Sequence, residues 1–385
     1  MASVIAILII VIISVLFFNF NNTGNFALQK EETIKIGGIF SLTGDWAYGA
    51  IPEARFAQIA IDEINESGGI NGNQVEFILE DAKGSPVEAV SAANKLINVD
   101  GVKFILGPDT APNSAAVIPI TNQNQVFTMS ATTTAKDVLN NYEYAFRVSP
   151  DSRDGGRLIG ELAVKKYKLK RMAMVIENSN FDISWAEDVK QSFESNGGQV
   201  LLFEKYNSAD TDIKSTLLKA NSLDLDAIYV SGRGAQDVGN ILKQIKEQGL
   251  FENTMLVGHA LIMNPNVVQA SGNAFPENNF SVEVYAENSK LLEKYVSLYG
   301  EEPTFIFFYN ASMYDAVYML KEAIEACDEE VTCVKDYFHN EIKGWKGKVV
   351  NWSFNGYGDP ALPIEFYKEI HVVNGVKTRE DILLD

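Results

Sequence analysis

The feature that most restricts this chain is an alternation, run through twice, of short apolar segments with segments of helical period. Ile34, Ile36 and Phe40 open an apolar strand, and from about Ile51 the residues Phe56, Ala60 and Ile64 recur at helical spacing until Gly68-Gly69 stops them. Val75–Leu79 is the next strand. Ser85-Pro86 with Glu88 then starts a helix, as cap, first-turn proline and capping box. Strands over Val102–Leu106 and Val126–Met129 flank a helix from Asn113 to about Thr121. After Phe146-Arg147-Val148 the series restarts with a helix over Arg153–Lys166. It continues with a strand Met172–Ile176, a helix Trp185–Ser195, and a strand Val200–Phe203. Helix Thr211–Ala220, strand Leu225–Val230, helix Ala235–Gln248 and strand Thr254–Val257 complete it. Such alternation predicts an α/β fold with parallel sheets covered by helices on both faces. A tail beyond about Phe280 carries a helix near Ala311–Ala326 and strands over Lys348–Phe354 and Ile364–Val373.

The 385-residue length suits two domains, and 46% hydrophobic residues supply two real cores. A net charge of -19 argues against nucleic acid as a partner, since phosphate binding needs a basic footprint. Two cysteines and three histidines exclude a cysteine-rich zinc site. Val4–Phe18 is apolar except for Ser14, and no charge precedes Lys30. Residues 1–20 therefore read as a signal peptide or membrane anchor, with a tether through residues 4–18, and residues 21–32 as a polar linker. The alternative is a buried helix of the domain. The first reading puts the body outside the cytoplasmic membrane, released or anchored. In an oxidising compartment Cys327 and Cys333, with five residues between them, can bridge if the chain folds back; the alternative is two free thiols.

Several segments together resemble a known family. They are Ile36–Gly44 (IGGIFSLTG), Ile64–Gly72 (INESGGING), Glu80-Asp81 with Pro86 and Ala89, and Val102–Pro108 (VKFILGP). Ser130-Ala131-Thr132, Tyr314–Val317 (YDAV), Gly344-Trp345, Phe354, Gly356 and Gly358-Asp359 complete the set. In this order the chain resembles the type I periplasmic solute-binding proteins of ABC transporters, in the branched-chain amino acid-binding family, over about Ile34 to Gly375. The resemblance implies two doubly wound parallel-sheet lobes joined by three crossovers, near Arg147, Phe280 and Tyr357. Lobe one is then 33–147 plus 281–356, and lobe two 148–280 plus 357–385. It also implies a small polar ligand, an amino acid, amide or small carboxylate, trapped by hinge closure and passed to permease and ATPase partner subunits.

Ligands of open parallel sheets lie beyond the carboxyl ends of strands. That selects Asp45–Gly49, Gly107–Asn113, Ser130–Thr134 and Phe305–Tyr309 in lobe one, and Asn178–Ser184, Ser231–Ala235 and Gly258–Leu261 in lobe two. Trp46 and Tyr48 are candidate cleft walls, against packing on the neighbouring helix. By family position Thr132 and Thr134, after Ser130, offer a carbonyl and a hydroxyl to a ligand amine, against a threonine-rich helix cap. The family serine that takes a ligand carboxylate is here Ala111, with Thr110 beside it as substitute, and Asp109 reads as a loop or cap residue. Phe181 stands at a family tyrosine that covers the ligand. Arg233 at a strand end would favour an anionic group, against a solvated surface charge. Where the family has an acid for the ligand ammonium, this chain has His259 and Ala260. That departure shifts weight from an ordinary amino acid toward an amide or a small carboxylate.

Nothing in the sequence supports catalysis or a resident cofactor: Gly-x-Ser-x-Gly, His-Glu-x-x-His and nucleotide-binding glycine loops are all missing. Two other readings stay open. One is a receptor or sensor domain of the same fold, and the other, less favoured, is a nucleotide-cofactor enzyme.

Overall fold

The computed structural model describes residues 33–383 except 209, 211 and 233. The expectations for residues 1–32 and for Arg233 fall outside the described residues. Among those described, no helix is long and apolar enough to cross a membrane.

Lobe one is built on a parallel sheet of five strands in the order β2-β1-β3-β4-β5. These are β1 (Ile34–Phe40), β2 (Val75–Asp81), β3 (Phe104–Leu106), β4 (Phe127–Ser130) and β5 (Ala145–Arg147). Six of the seven β1 residues are buried, as expected of a strand covered on both faces. Helices α1 (Ala47–Glu66), α2 (Pro86–Lys95) and α3 (Ala111–Gln123) make the connections. The chain then enters lobe two through α4 (Ser152–Lys165), β6 (Arg171–Glu177), α5 (Asn180–Ser195) and β7 (Gln199–Tyr206). It goes on through α6 (Lys214–Asn221), β8 (Ala227–Ser231), α7 (Ala235–Glu247), β9 (Met255–Val257), α8 (Pro265–Ser271) and β10 (Asn279–Val284). Next α9 (Ser289–Tyr299), α10 (Phe307–Cys327), α11 (Val331–Asn340) and the hairpin β11 (Lys343–Lys346) with β12 (Asn351–Ser353) return to lobe one. Finally β13 (Tyr367–Val373) and β14 (Val376–Asp381) join lobe two antiparallel. Its sheet then has seven strands in the order β14-β13-β10-β9-β8-β6-β7.

The lobe boundary expected between 280 and 281 falls inside β10, which pairs with β9 and β13 and so stays in the second sheet. Lys348–Phe354, expected as one strand, keeps only β12, and Ile364–Phe366 is a 3-10 turn before β13.

Both sheets have a switch point. The chain leaves β1 to one side for β2 and returns to the other for β3; β6, β7 and β8 repeat the arrangement. Loops after β1 and β3, and after β6 and β8, therefore diverge and leave a crevice at the strand ends. At Gly107, just past β3, φ is +95° and an added Cβ would lie 2.3 Å from the Ile39 carbonyl oxygen. Only glycine lets the two strand-end loops come this close.

Two crossovers are fastened by Arg147, which is fully buried. Its Nε donates to Asp359 Oδ1 at 2.7 Å. Its Nη2 reaches the same oxygen at 2.6 Å and Asp151 Oδ2 at 3.2 Å. Its Nη1 donates to the carbonyls of Thr133 at 2.9 Å and Ala135 at 2.8 Å. Asp151 also caps α4 by accepting from the Arg153 N–H. One side chain thus ties the first and third crossovers to the segment after β4.

The turn between α10 and α11 passes through Asp328 and Glu329, both with positive φ, and folds the chain back. This brings the Cys327 and Cys333 sulfurs to 2.07 Å, a disulfide. For so short a loop the chain-entropy gain is about 2 kcal/mol. Denaturant unfolding with and without reductant should differ by that amount, and titratable thiol in unfolded, unreduced protein would refute the bond.

Candidate functional site

The strand-end loops of the two lobes face each other across one cavity of about 490 Å³, its solvent mouth included. Lobe one lines it with Trp46, Asp109, Thr110, Ala111, Thr132, Thr134 and the stretch Phe305, Ile306 and Tyr309. Lobe two adds Phe181, Trp185, His259, Ala260 and Leu261.

In lobe one, Thr110 caps α3 by accepting the Asn113 N–H at 3.4 Å, with Ala111 as the first helical residue. Its N–H is one of the orphan donors of a helix start, beside the positive end of the helix dipole. Asp109 is buried and turned away: Oδ2 accepts from the Ser41 N–H at 2.7 Å, and Oδ1 from Asn113 Nδ2 at 3.0 Å. Burial raises its pKa, while the bonds from Ser41 and Asn113 pull the other way. Beneath Thr132 lies Glu53, from α1, with Oε2 2.8 Å from Thr132 Oγ1. It too is fully buried, and burial followed by the charge of Asp109 raises its pKa well above the carboxylate range. Trp46 closes one side by edge contacts with Phe305 and Tyr48.

In lobe two, Ser179 caps α5, accepting the Asp182 N–H at 3.1 Å and donating to Asp182 Oδ2 at 2.5 Å. Asp182 Oδ1 lies 3.2 Å from His259 Nε2, and His259 Nδ1 accepts the Leu261 N–H at 3.2 Å. With Nδ1 occupied as an acceptor, the ring proton sits on Nε2 and goes to Asp182. Both partners are buried and turned to each other. Phe181, Trp185 and His259 form an aromatic wall with centroids 4.9 to 6.3 Å apart. An added Cβ at Gly155 would lie 2.4 Å from the Trp185 ring, so α4 has a glycine where that ring leans.

The lobes also touch directly. Trp185 Nε1 donates to Thr134 Oγ1 at 3.3 Å, the Lys136 N–H donates to Ser184 Oγ at 2.9 Å, and Lys136 Nζ is 2.9 Å from Asp188.

Of the residues singled out in the sequence, Trp46, Thr110, Ala111, Thr132, Thr134, Phe181 and His259 meet around this cavity. Two do not line it. Tyr48, expected on a loop, is in the first turn of α1, because that helix starts at Ala47 rather than near Ile51; its ring stands behind Trp46 and Phe305. Ser130 is the last residue of β4, and its Oγ donates inward to the Pro108 carbonyl at 2.7 Å. Sequence reasoning passed over Trp185 and Glu53. Trp185 follows Phe181 by four residues, the spacing that places two side chains on one helical face. Glu53 heads the stripe Glu53, Ala57, Ala60, Ile64, an acid where the periodicity calls for an apolar residue.

Two doubly wound lobes with a cavity between facing switch points define a two-lobed ligand-trapping protein, and comparison with known proteins agrees. Residues 33–336 match the family described as Periplasmic binding protein, and the chain belongs to it. It is 28% identical over 307 residues to the leucine-, isoleucine-, valine-, threonine- and alanine-binding protein of Pseudomonas aeruginosa, covering 78% of this chain and 80% of that one. Among solved structures it is similar to the branched-chain amino acid transporter substrate binding protein LivJ of Streptococcus pneumoniae, in complex with isoleucine. That likeness has a TM-score of 0.79 and 25% identity, over 91% of this chain and 99% of that one. A solute binding protein from R. palustris, in complex with benzoate, shares the fold at TM-score 0.76 and 18% identity, over 90% of this chain and 95% of that one.

Proposed function

We propose that this protein is the extracytoplasmic solute-binding subunit of an ABC importer. It captures a small carboxylate with an apolar or aromatic body by hinge closure, and hands it to a permease worked by ATPase subunits. Family membership supports the transport role. The ligand class rests on one observation: the cavity has six aromatic walls, His259 included, and an orphan N–H at the start of α3, but among the described residues no carboxylate free to pair with an ammonium. Asp109 is spent on Ser41 and Asn113, and Asp182 on His259 and Ser179. Glu53 lies behind Thr132. An ammonium closed in here would be a buried charge without its partner, which costs several kcal/mol.

The test compares L-leucine with 4-methylpentanoate, the same acid without its ammonium, by calorimetry, with benzoate as an aromatic probe. The carboxylates should bind more than about tenfold tighter than leucine, since even 1.4 kcal/mol of unpaired charge is tenfold. Tighter binding of leucine would overturn the ligand class and leave the transport role standing.

A further inference from the structure

Thr132 Oγ1 has one hydrogen and two acceptors within reach. Glu53 Oε2 lies at 2.8 Å, and the Asp109 carbonyl oxygen is also in short contact. A hydroxyl cannot donate to both, and two oxygens facing without a hydrogen repel. One more proton is required. Glu53 is the group able to carry it: it is fully buried, and among the described residues no cation acts on it. Among the described residues its other oxygen has only the Ala131 N–H, at 3.4 Å. An ionised carboxylate so placed would pay the full desolvation penalty.

We propose that Glu53 is a positioning residue for the ligand cavity: as a neutral acid it donates Oε2–H to Thr132 Oγ1, whose own hydrogen goes to the Asp109 carbonyl. Thr132 then meets a ligand as an acceptor only, while the Ala111 N–H beyond it is a donor. A ligand that fits both carries its anionic head toward α3 and a hydroxyl or amide hydrogen toward Thr132. This last consequence rests on the cavity being the ligand site; the protonation of Glu53 does not.

The surroundings of Glu53 are few. The turn before α3 contributes Asp109, whose charge further disfavours ionisation. The segment after β4 contributes the uncharged Ala131 and Thr132. Helix α10, packed along α1, brings Asn310 onto the Gly49 carbonyl and Tyr309 to the cavity wall. Burial raises the phenol of Tyr309, so it stays neutral near pH 7.

Infrared spectra of the ligand-free full chain near neutral pH test the assignment without any ligand. The wild type should show a protonated-carboxyl carbonyl band that is lost in Glu53→Gln. In Thr132→Val the band should persist but move to higher wavenumber, because its acceptor is gone. No band lost in Glu53→Gln, or a band unmoved in Thr132→Val, would overturn the proposal. Unfolding against pH is the second readout. An acid held protonated in the fold favours the native state below its unfolded value, 4.5, and that advantage is lost as pH rises toward its higher folded value. The folding equilibrium of Glu53→Gln should therefore gain on wild type by roughly tenfold per pH unit over that rise. A pH-independent offset would mean that Glu53 is ionised in the fold.

Discussion

Arg147→Met is expected to lower the stability of the chain by about 3–5 kcal/mol, the cost of breaking a buried ion pair from one side. The guanidinium makes four hydrogen bonds, to Asp359, Asp151 and the carbonyls of Thr133 and Ala135, and its Nη2 also lies 2.6 Å from Asp359. Methionine fills the volume and leaves every acceptor behind. The worst placed is Asp359: it is 4% exposed, its Oδ2 has no hydrogen bond, and the next cation, Arg153, is 3.8 Å away. Arg147→Lys should also be costly, because a single ammonium has three donors and cannot span this fork. Adding Asp359→Asn to Arg147→Met should recover part of the loss by removing the stranded charge. Denaturant unfolding measures all three variants. A loss below about 1 kcal/mol for Arg147→Met would place the pair among surface ion pairs in effect, contrary to its burial.

Trp185→Ala should weaken ligand binding by about 100-fold, near 3 kcal/mol, as for a buried aromatic anchor at an interface centre. The indole serves twice, walling the cavity beside Phe181 and His259 and donating across the cleft to Thr134. Trp185→Phe keeps the wall and loses only the hydrogen bond, so it should cost about 1 kcal/mol. Calorimetry with the carboxylate that binds wild type reads both values. Small-angle scattering adds the mechanical half: ligand should shrink the wild-type radius of gyration as the lobes close, and shrink that of Trp185→Ala less at equal saturation. Wild-type affinity in Trp185→Ala would remove this residue from the site.

The alternation of elements was legible because strands covered on both faces are almost wholly apolar, as in β1 apart from the exposed Lys35 and in β8 apart from its terminal Ser231. It failed where burial is bought with paired charge. β10, Asn-Phe-Ser-Val-Glu-Val, is buried at every position although half of it is polar; Lys377 and Arg379 of β14 hold Glu283. β14 itself, Val-Lys-Thr-Arg-Glu-Asp, is a mostly exposed edge strand and carries charges suited to an edge rather than a strand-like pattern. Most of the cavity was legible from strand ends alone, since the switch points dictate which loops converge. Glu53 was not, because its meaning depends on a hydroxyl 79 positions away that no periodicity connects to it.

The position of β13 in the second sheet fixes when that lobe can finish folding. β13 lies between β10 and β14, yet the chain reaches it only after α9, α10, α11 and the hairpin of lobe one have been made. At roughly 5–20 residues per second of synthesis, β10 waits on the order of ten seconds for its neighbour. Until then its outer edge is open and Glu283 has neither Lys377 nor Arg379. A nascent chain in that interval presents an unpaired strand edge beside an uncompensated acid. The sheet of that lobe is therefore completed only when its last strands emerge.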